Sequence, residues 1–185
     1  LDRSKEFGSS EALYMDVLNV IKGSNLDINV FGGRYGLSSK DTDPADIKSV
    51  YTFLMSNNKF NGFTIGIKDD VTNKSLLKED FVLDNDNYEM VIMGYGSDGM
   101  VSASKDIMKI TGTGSDAYVQ GYFEYDSKKS GGVTISHLRV GPNEIKAPYF
   151  LTNPDFVVVS KDIYLSKYNC LKNIKENGIL LISSN

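Results

Sequence analysis

Apolar positions recur along this chain in two rhythms, one helical and one extended, and the two halves use them differently. In the first half, Leu13, Val17, Val20 and Ile21 share one face at helical spacing and predict a helix over residues 11–22. Ser10 stands at its cap position and Gly23 at its stop. Ile28-Asn29-Val30-Phe31 reads as a short strand running into Gly32-Gly33-Arg34-Tyr35-Gly36. Ile47, Val50, Phe53 and Leu54 form the stripe of a helix that opens at Pro44, with Asp41 or Asp43 before it. Phe63-Thr64-Ile65-Gly66-Ile67 is a strand. Residues 68–87 are polar and acidic and read as a linker, with a domain boundary near residue 80.

The second half alternates strand and helix. Tyr88-Glu89-Met90-Val91-Ile92-Met93 is a buried strand and meets a glycine turn, Gly94-Tyr95-Gly96-Ser97-Asp98-Gly99. Val101, Ala103, Ile107, Met108 and Ile110 then follow at helical spacing. Strands over 118–123, 133–140, 155–159 and 179–182 follow, with a helix over 161–169. Strands separated by helices predict an α/β fold with a mostly parallel, doubly wound sheet over residues 81–185. Residues 1–80 form a smaller α/β segment before it. Such sheets bind ligands beyond the carboxyl ends of their strands.

Composition narrows the field. A length of 185 residues suits one large domain, or one domain and part of another. Net charge is −4 without a basic block, which argues against nucleic acid. No apolar run approaches the ~20 residues of a membrane helix. With one cysteine, Cys170, no disulfide can form within the chain and a reducing compartment fits. One Cys and one His, His137, argue against a zinc or iron–sulfur site here. The opening Leu1-Asp2-Arg3 is neither an initiator Met nor a signal peptide, and suggests a piece of a longer chain.

The chemistry concentrates at the glycine turn. Gly94 to Gly99 fits G-x-G-x-x-G between a strand and a helix, where free amides and the helix dipole favour an anion. A dinucleotide site predicts an acid at the end of the next strand, a place that Glu124 or Asp126 fills. Lys128 and Lys129 follow directly, and a doubly basic turn suits a ligand with extra phosphates, such as coenzyme A or NADP. Three readings stay open on the residues: a coenzyme A segment, an NAD(P)- or FAD-binding domain, or a structural inter-domain module.

Other candidates have bland readings. Gly32, Gly33 and Gly36 read as a tight connection whose glycines take positive φ, and Arg34 as a surface ion pair. Asp69-Asp70 reads as a solvated turn rather than a Mg²⁺ site. His137 reads as a satisfied strand residue, Cys170 as a small core residue, and Asp98 as a helix cap. No Ser/His/Asp or Cys/His set is present, so no catalytic residue and no metal ligand is assigned.

The residues also carry a resemblance. Gly96-Ser97-Asp98-Gly99 and the block 120–139, from Gln120-Gly121-Tyr122-Phe123 through Ser127-Lys128-Lys129-Ser130-Gly131-Gly132 to His137-Leu138-Arg139, resemble the pyruvate:ferredoxin (flavodoxin) oxidoreductases. Asp2-Arg3-Ser4-Lys5-Glu6, Gly32 to Asp41 and Phe63 to Thr72 match the same family in the same order. The resemblance implies the tail of the second domain over residues 1–80 and much of the gamma-type third domain over 81–185. It implies coenzyme A contacts at Gly96, Ser97, Asp98, Gly99, Met100 and Lys128. Met100 stands where the family usually has Thr, which removes a hydroxyl donor and leaves the backbone amide. Thiamine diphosphate, Mg²⁺ and the 4Fe–4S clusters are implied for other domains. The whole enzyme is expected to yield acetyl-coenzyme A and CO₂ and to pass electrons to ferredoxin, flavodoxin or a fused NADP-linked reductase. A homodimer in the cytoplasm, or in a reducing anaerobic organelle such as a hydrogenosome, is implied as well.

Overall fold

The computed structural model describes residues 1–3, 10–37, 40–68, 71–126 and 132–184. The chain divides into two compact units, Leu1–Leu83 and Asp84–Asn185.

The first unit holds α1 (Ala12–Lys22), β1 (Gly33–Arg34), α2 (Pro44–Met55) and β2 (Phe63–Thr64). The helix α2 starts as its sequence dictates. Pro44 occupies the first turn, and Asp43 and Asp46 exchange side-chain-to-backbone hydrogen bonds in a capping box. Its buried face is Ala45, Asp46, Ser49, Val50 and Phe53, while Ile47 and Leu54 of the expected stripe lie outside. Val50, Phe53, Phe63 and Ile65 form the core, with Phe31, Tyr35 and Leu76 against it.

Four local expectations are corrected in this unit. Residues 28–31 form no strand; the strand is Gly33–Arg34, paired in parallel with Phe63–Thr64. Gly33 is there for closeness rather than for positive φ, since a Cβ would lie 2.3 Å from the Phe63 ring. Of the three glycines in that cluster only Gly36 has positive φ, at 64°. Ser10 does not cap α1. Asp2, distant in sequence, accepts from the amides of Leu13 and Tyr14 at 3.1 and 3.2 Å. Gly23 ends α1 with φ −82°, without the left-handed turn usual for such a glycine. Arg34 forms an ion pair, 3.4 Å from Glu11, but its partner is buried rather than at the surface.

The second unit is a five-stranded sheet in the order β4-β5-β3-β6-β7. Its strands are β3 (Tyr88–Tyr95), β4 (Tyr118–Tyr125), β5 (Val133–Gly141), β6 (Phe156–Val159) and β7 (Ile179–Ile182). Helix α3 (Met100–Gly114) follows β3, and α4 (Ile163–Lys167) follows β6. The pairs β3–β6 and β6–β7 are parallel, while β5 is antiparallel to both β3 and β4. Hence β3, β4, β6 and β7 share a direction and β5 alone opposes them. Both faces are covered, as α/β sheets require. On one face α3 packs so closely that a Cβ at Gly121 would meet the Met108 sulfur at 2.5 Å. On the other, Tyr164 of α4, with Cys170 and Ile174, packs on Met93, Val157 and Val159. Both valines are 0% exposed, and burying each side chain is worth about 2 kcal/mol.

Candidate functional site

The strand order creates a switch point. The chain leaves β3 through α3 toward β4 on one side, and leaves β6 through α4 toward β7 on the other. These two strands are parallel neighbours, so their carboxyl ends meet at a switch point of the kind beside which α/β sheets hold ligands in a crevice. Residues 95–99 form one wall of it. Ser160 and Lys161 follow β6 on the other.

The turn is built by its own carboxylate. Asp98 accepts from the Tyr95 amide at 2.6 Å through Oδ2 and from the Met100 amide at 2.9 Å through Oδ1. The Ser160 hydroxyl donates to Oδ2 from across the crevice at 3.0 Å. Asp98 thus caps α3 from one residue outside, the N-cap itself being Gly99 at φ 85°. Ser97 also adopts positive φ, 77°, a conformation that costs a residue with a Cβ about 1 kcal/mol. The turn must therefore be held by its surroundings. Gly94 lets α3 approach: a Cβ there would lie 2.6 Å from Met100 Cβ.

These bonds sort the sequence candidates. The Gly96 amide donates to Gly132 O at 3.0 Å, and the Asp98 amide to Tyr95 O at 2.9 Å. The amide of Met100 is taken by Asp98. The amides of Ser97, Gly99, Val101 and Ser102 donate to no described residue. The exposed end of a helix 15 residues long thus presents N–H groups without a partner among the described residues, and the positive end of its dipole. The turn and α3 bring Gly96, Ser97, Asp98, Gly99 and Met100 together. Lys128 and Lys129 lie outside the described residues, as do Asp69 and Asp70. The Gly132 carbonyl on Gly96 holds the described foot of the β4–β5 hairpin against the glycine turn.

The dinucleotide reading loses its key contact in this topology. In a nucleotide-binding βαβ unit the ribose-binding acid ends the strand beside the first one. Here β5 separates β4 from β3, so Glu124 stands two strand spacings, about 10 Å, to the side.

Away from the crevice, the remaining candidates are structural. His137 is 6% exposed; its Nδ1 accepts from the Leu151 amide at 3.2 Å, and its ring stacks on Phe150 at 4.6 Å. Burial, then the Arg139 charge, lowers its pKa to about 4. The ring is neutral at pH 7, with the hydrogen on Nε2, 3.8 Å from the Glu124 carboxylate. Cys170 packs on the core and donates its thiol to Tyr164 O at 3.3 Å, and burial raises its pKa, which keeps it from acting as a nucleophile. An open groove of about 490 Å³ in the first unit includes Lys40, Lys68 and Lys78 in its lining, but Lys78 is paired with Asp43 and Asp46.

Ser160, Lys161 and Tyr164 went unnoticed in the sequence. They lie more than 60 residues from the glycine turn, and only the pairing of β6 with β3 brings them to it. The one local signal was a polar pair, Ser160-Lys161, directly after an apolar strand.

Residues 89–185 match the family of pyruvate ferredoxin/flavodoxin oxidoreductases. The whole chain is 46% identical to a pyruvate:ferredoxin oxidoreductase of Moorella thermoacetica and covers 16% of it. It is 44% identical, over 99% of its length, to a pyruvate-flavodoxin oxidoreductase of Enterobacter agglomerans, again covering 16%. Identity to a pyruvate dehydrogenase (NADP⁺) of Cryptosporidium parvum is 45% over 99% of the chain, and 10% of that protein is covered. The chain spans a small part of each curated relative.

Proposed function

Because the chain belongs to the pyruvate ferredoxin/flavodoxin oxidoreductase family, we propose that it is a segment of an enzyme converting pyruvate and coenzyme A to acetyl-coenzyme A and CO₂, and that this segment binds part of coenzyme A. Two electrons leave in that reaction. The names of relatives point to ferredoxin, flavodoxin or NADP⁺ as acceptor. The observation that carries the coenzyme A reading is the glycine turn at the β3–β6 switch point, where four amides in the turn and the first turn of α3 donate to no described residue. Phosphate groups suit such a cradle because the N–H dipoles are fixed before binding.

Within it, Ser97 and Gly99 offer backbone amides, and Gly96 keeps the path to them open. Lys128, which lies between β4 and β5 in the sequence, adds a positive charge as a point-charge ammonium. Asp98 positions the turn, since its carboxylate is occupied by three donors. Met100 acts through the helix it starts rather than through its side chain, which packs over Gly94. Pyruvate chemistry belongs to groups held elsewhere in the longer protein. A 4Fe–4S cluster takes four thiolates and this chain has one cysteine. Thiamine diphosphate, with its Mg²⁺, supplies the carbanion chemistry when bound in those other parts. The whole enzyme works as a homodimer in a reducing compartment, cytoplasmic or organellar.

The test uses the full-length enzyme. Titration calorimetry with coenzyme A, NADP⁺ and NAD⁺ should give binding to coenzyme A. Lys128→Ala should raise the coenzyme A KM and leave the pyruvate KM unchanged. A preference for NAD⁺, or an unaltered coenzyme A KM in the variant, would overturn the assignment.

A further inference from the structure

An anion site that carries its own carboxylate needs compensating positive charge close by, and Asp98 stands at the centre of this one. The wall opposite the turn supplies a cation. Val159 is level with Met93 in the parallel pairing, so Ser160 and Lys161 come level with Gly94 and Tyr95. The Lys161 ammonium lies over the Tyr95 ring, 4.0 Å from its centroid. That contact holds it beside the glycine turn while leaving its hydrogen-bond donors available. Lys161 forms no ion pair with any described residue.

A second observation points to a ligand. Tyr164 is 6% exposed, yet its phenolic hydroxyl has no hydrogen-bond partner among the described residues. Its ring belongs to the buried cluster on which Tyr95 packs; burial, and after it the negative charge of Asp98, raises its pKa, so the hydroxyl keeps its proton. A buried hydroxyl without a partner is costly to the fold. A phosphate oxygen in the crevice would accept from it.

We propose that Lys161, seated on the Tyr95 ring, is a phosphate-contacting residue for the nucleotide held by the glycine turn. This rests on the coenzyme A reading above. The ligand is gripped from both sides of the switch point: by amides of α3 on the β3 side, and by an ammonium and a phenol on the β6 side. The same arrangement explains why the Ser160 hydroxyl is bound to Asp98, because that bond fixes the backbone from which Lys161 projects.

The experiment measures the coenzyme A dissociation constant of the full-length enzyme for the wild type, Lys161→Ala, Lys161→Arg and Lys128→Ala, each at several salt concentrations. Lys161→Ala should weaken binding about fivefold or more and flatten the salt dependence, while Lys161→Arg stays near wild type. The pyruvate KM should not move in any of them. If Lys128→Ala weakens binding but Lys161→Ala does not, Lys161 has no such role and the coenzyme A reading stands. Equal losses in Lys161→Ala and Lys161→Arg would also overturn the proposal, since charge would then not be the cause. If the wild type fails to bind coenzyme A, the reading and the inference fall together.

Discussion

The Ser160 hydroxyl donates to Asp98 Oδ2 at 3.0 Å, joining the end of β6 to the turn that follows β3. These residues are 62 positions apart, and their bond spans the switch point of the sheet. One carboxylate therefore fixes both walls of the candidate site. It holds the Tyr95 and Met100 amides on its own side and Ser160 on the other. Rigid placement of this kind lets backbone dipoles act on a ligand without first being ordered.

Replacing Asp98 by alanine should therefore loosen the turn and the β6 end together. A loss of about 2 kcal/mol is expected from the donors left without a charged acceptor. Ser160→Ala should cost about 1 kcal/mol, and the double variant less than the sum of the two. Chemical denaturation of the four proteins in the cycle measures the coupling. Strict additivity would show that the bond across the crevice contributes nothing.

Gly94 and Gly99 should fail for different reasons when changed to alanine. At Gly94 the added methyl meets Met100 Cβ at 2.6 Å and Thr134 Oγ1 at 3.0 Å, so α3 must shift, at a cost of about 1–3 kcal/mol. At Gly99 no described atom lies within 4 Å, and among the described residues only the φ of 85° opposes a side chain, at about 1 kcal/mol. Gly99→Asn should recover part of that loss, because asparagine tolerates the left-handed region; Gly94→Asn should not. Midpoints of thermal unfolding separate the two cases.

Arg139, 1% exposed, pairs with Glu89 at 3.2 Å and donates to Gln120 Oε1, Ala147 O and Tyr149 O. Its guanidinium also lies over the Tyr149 ring at 4.6 Å. Arg139→Met leaves Glu89 charged and buried, and should destabilise by about 3–5 kcal/mol. Arg139→Met with Glu89→Met should cost less than the single change, since no charge is then stranded. A double variant as unstable as the single would assign the loss to packing instead.

Acid should unfold the protein partly through His137. Its folded pKa is lowered from 6.5 to about 4, so the unfolded chain binds the proton more tightly. The stability this represents is complete above pH 6.5 and falls as pH drops toward about 4. The full loss is about 3 kcal/mol at most. Glu124 pulls the other way from 3.8 Å but is half in water, which screens it. His137→Phe should flatten stability between those pH values, as denaturant midpoints would report. An unchanged slope would place the titration in other groups.

The expected strands and helices of residues 88–182 reappear with their ends moved by a few residues, because alternation and helical spacing express burial that each element needs wherever it sits. Short elements were less legible. The stretch 28–31 has strand-like residues, yet the pairing partner lies at Gly33–Arg34, where glycine admits the Phe63 ring. The cap of α1 comes from Asp2, beyond the reach of any local rule. Among site residues, the turn 94–99 was visible because a helix start and its glycines are contiguous.

What the chain determined alone is therefore local: the glycine turn before α3, the capping box at Asp43, the lack of thiols for a cluster, and a run of residues specific to one enzyme family. Which strands neighbour one another was decided only in three dimensions. The antiparallel entry of β5 beside β3 carried Glu124 away from the turn and left β6 on the other flank, bringing Ser160, Lys161 and Tyr164 to it. The physical reason is that strand order is a choice among sheets that bury the same apolar faces. That choice is made by packing between distant segments, and each segment read alone is silent about it.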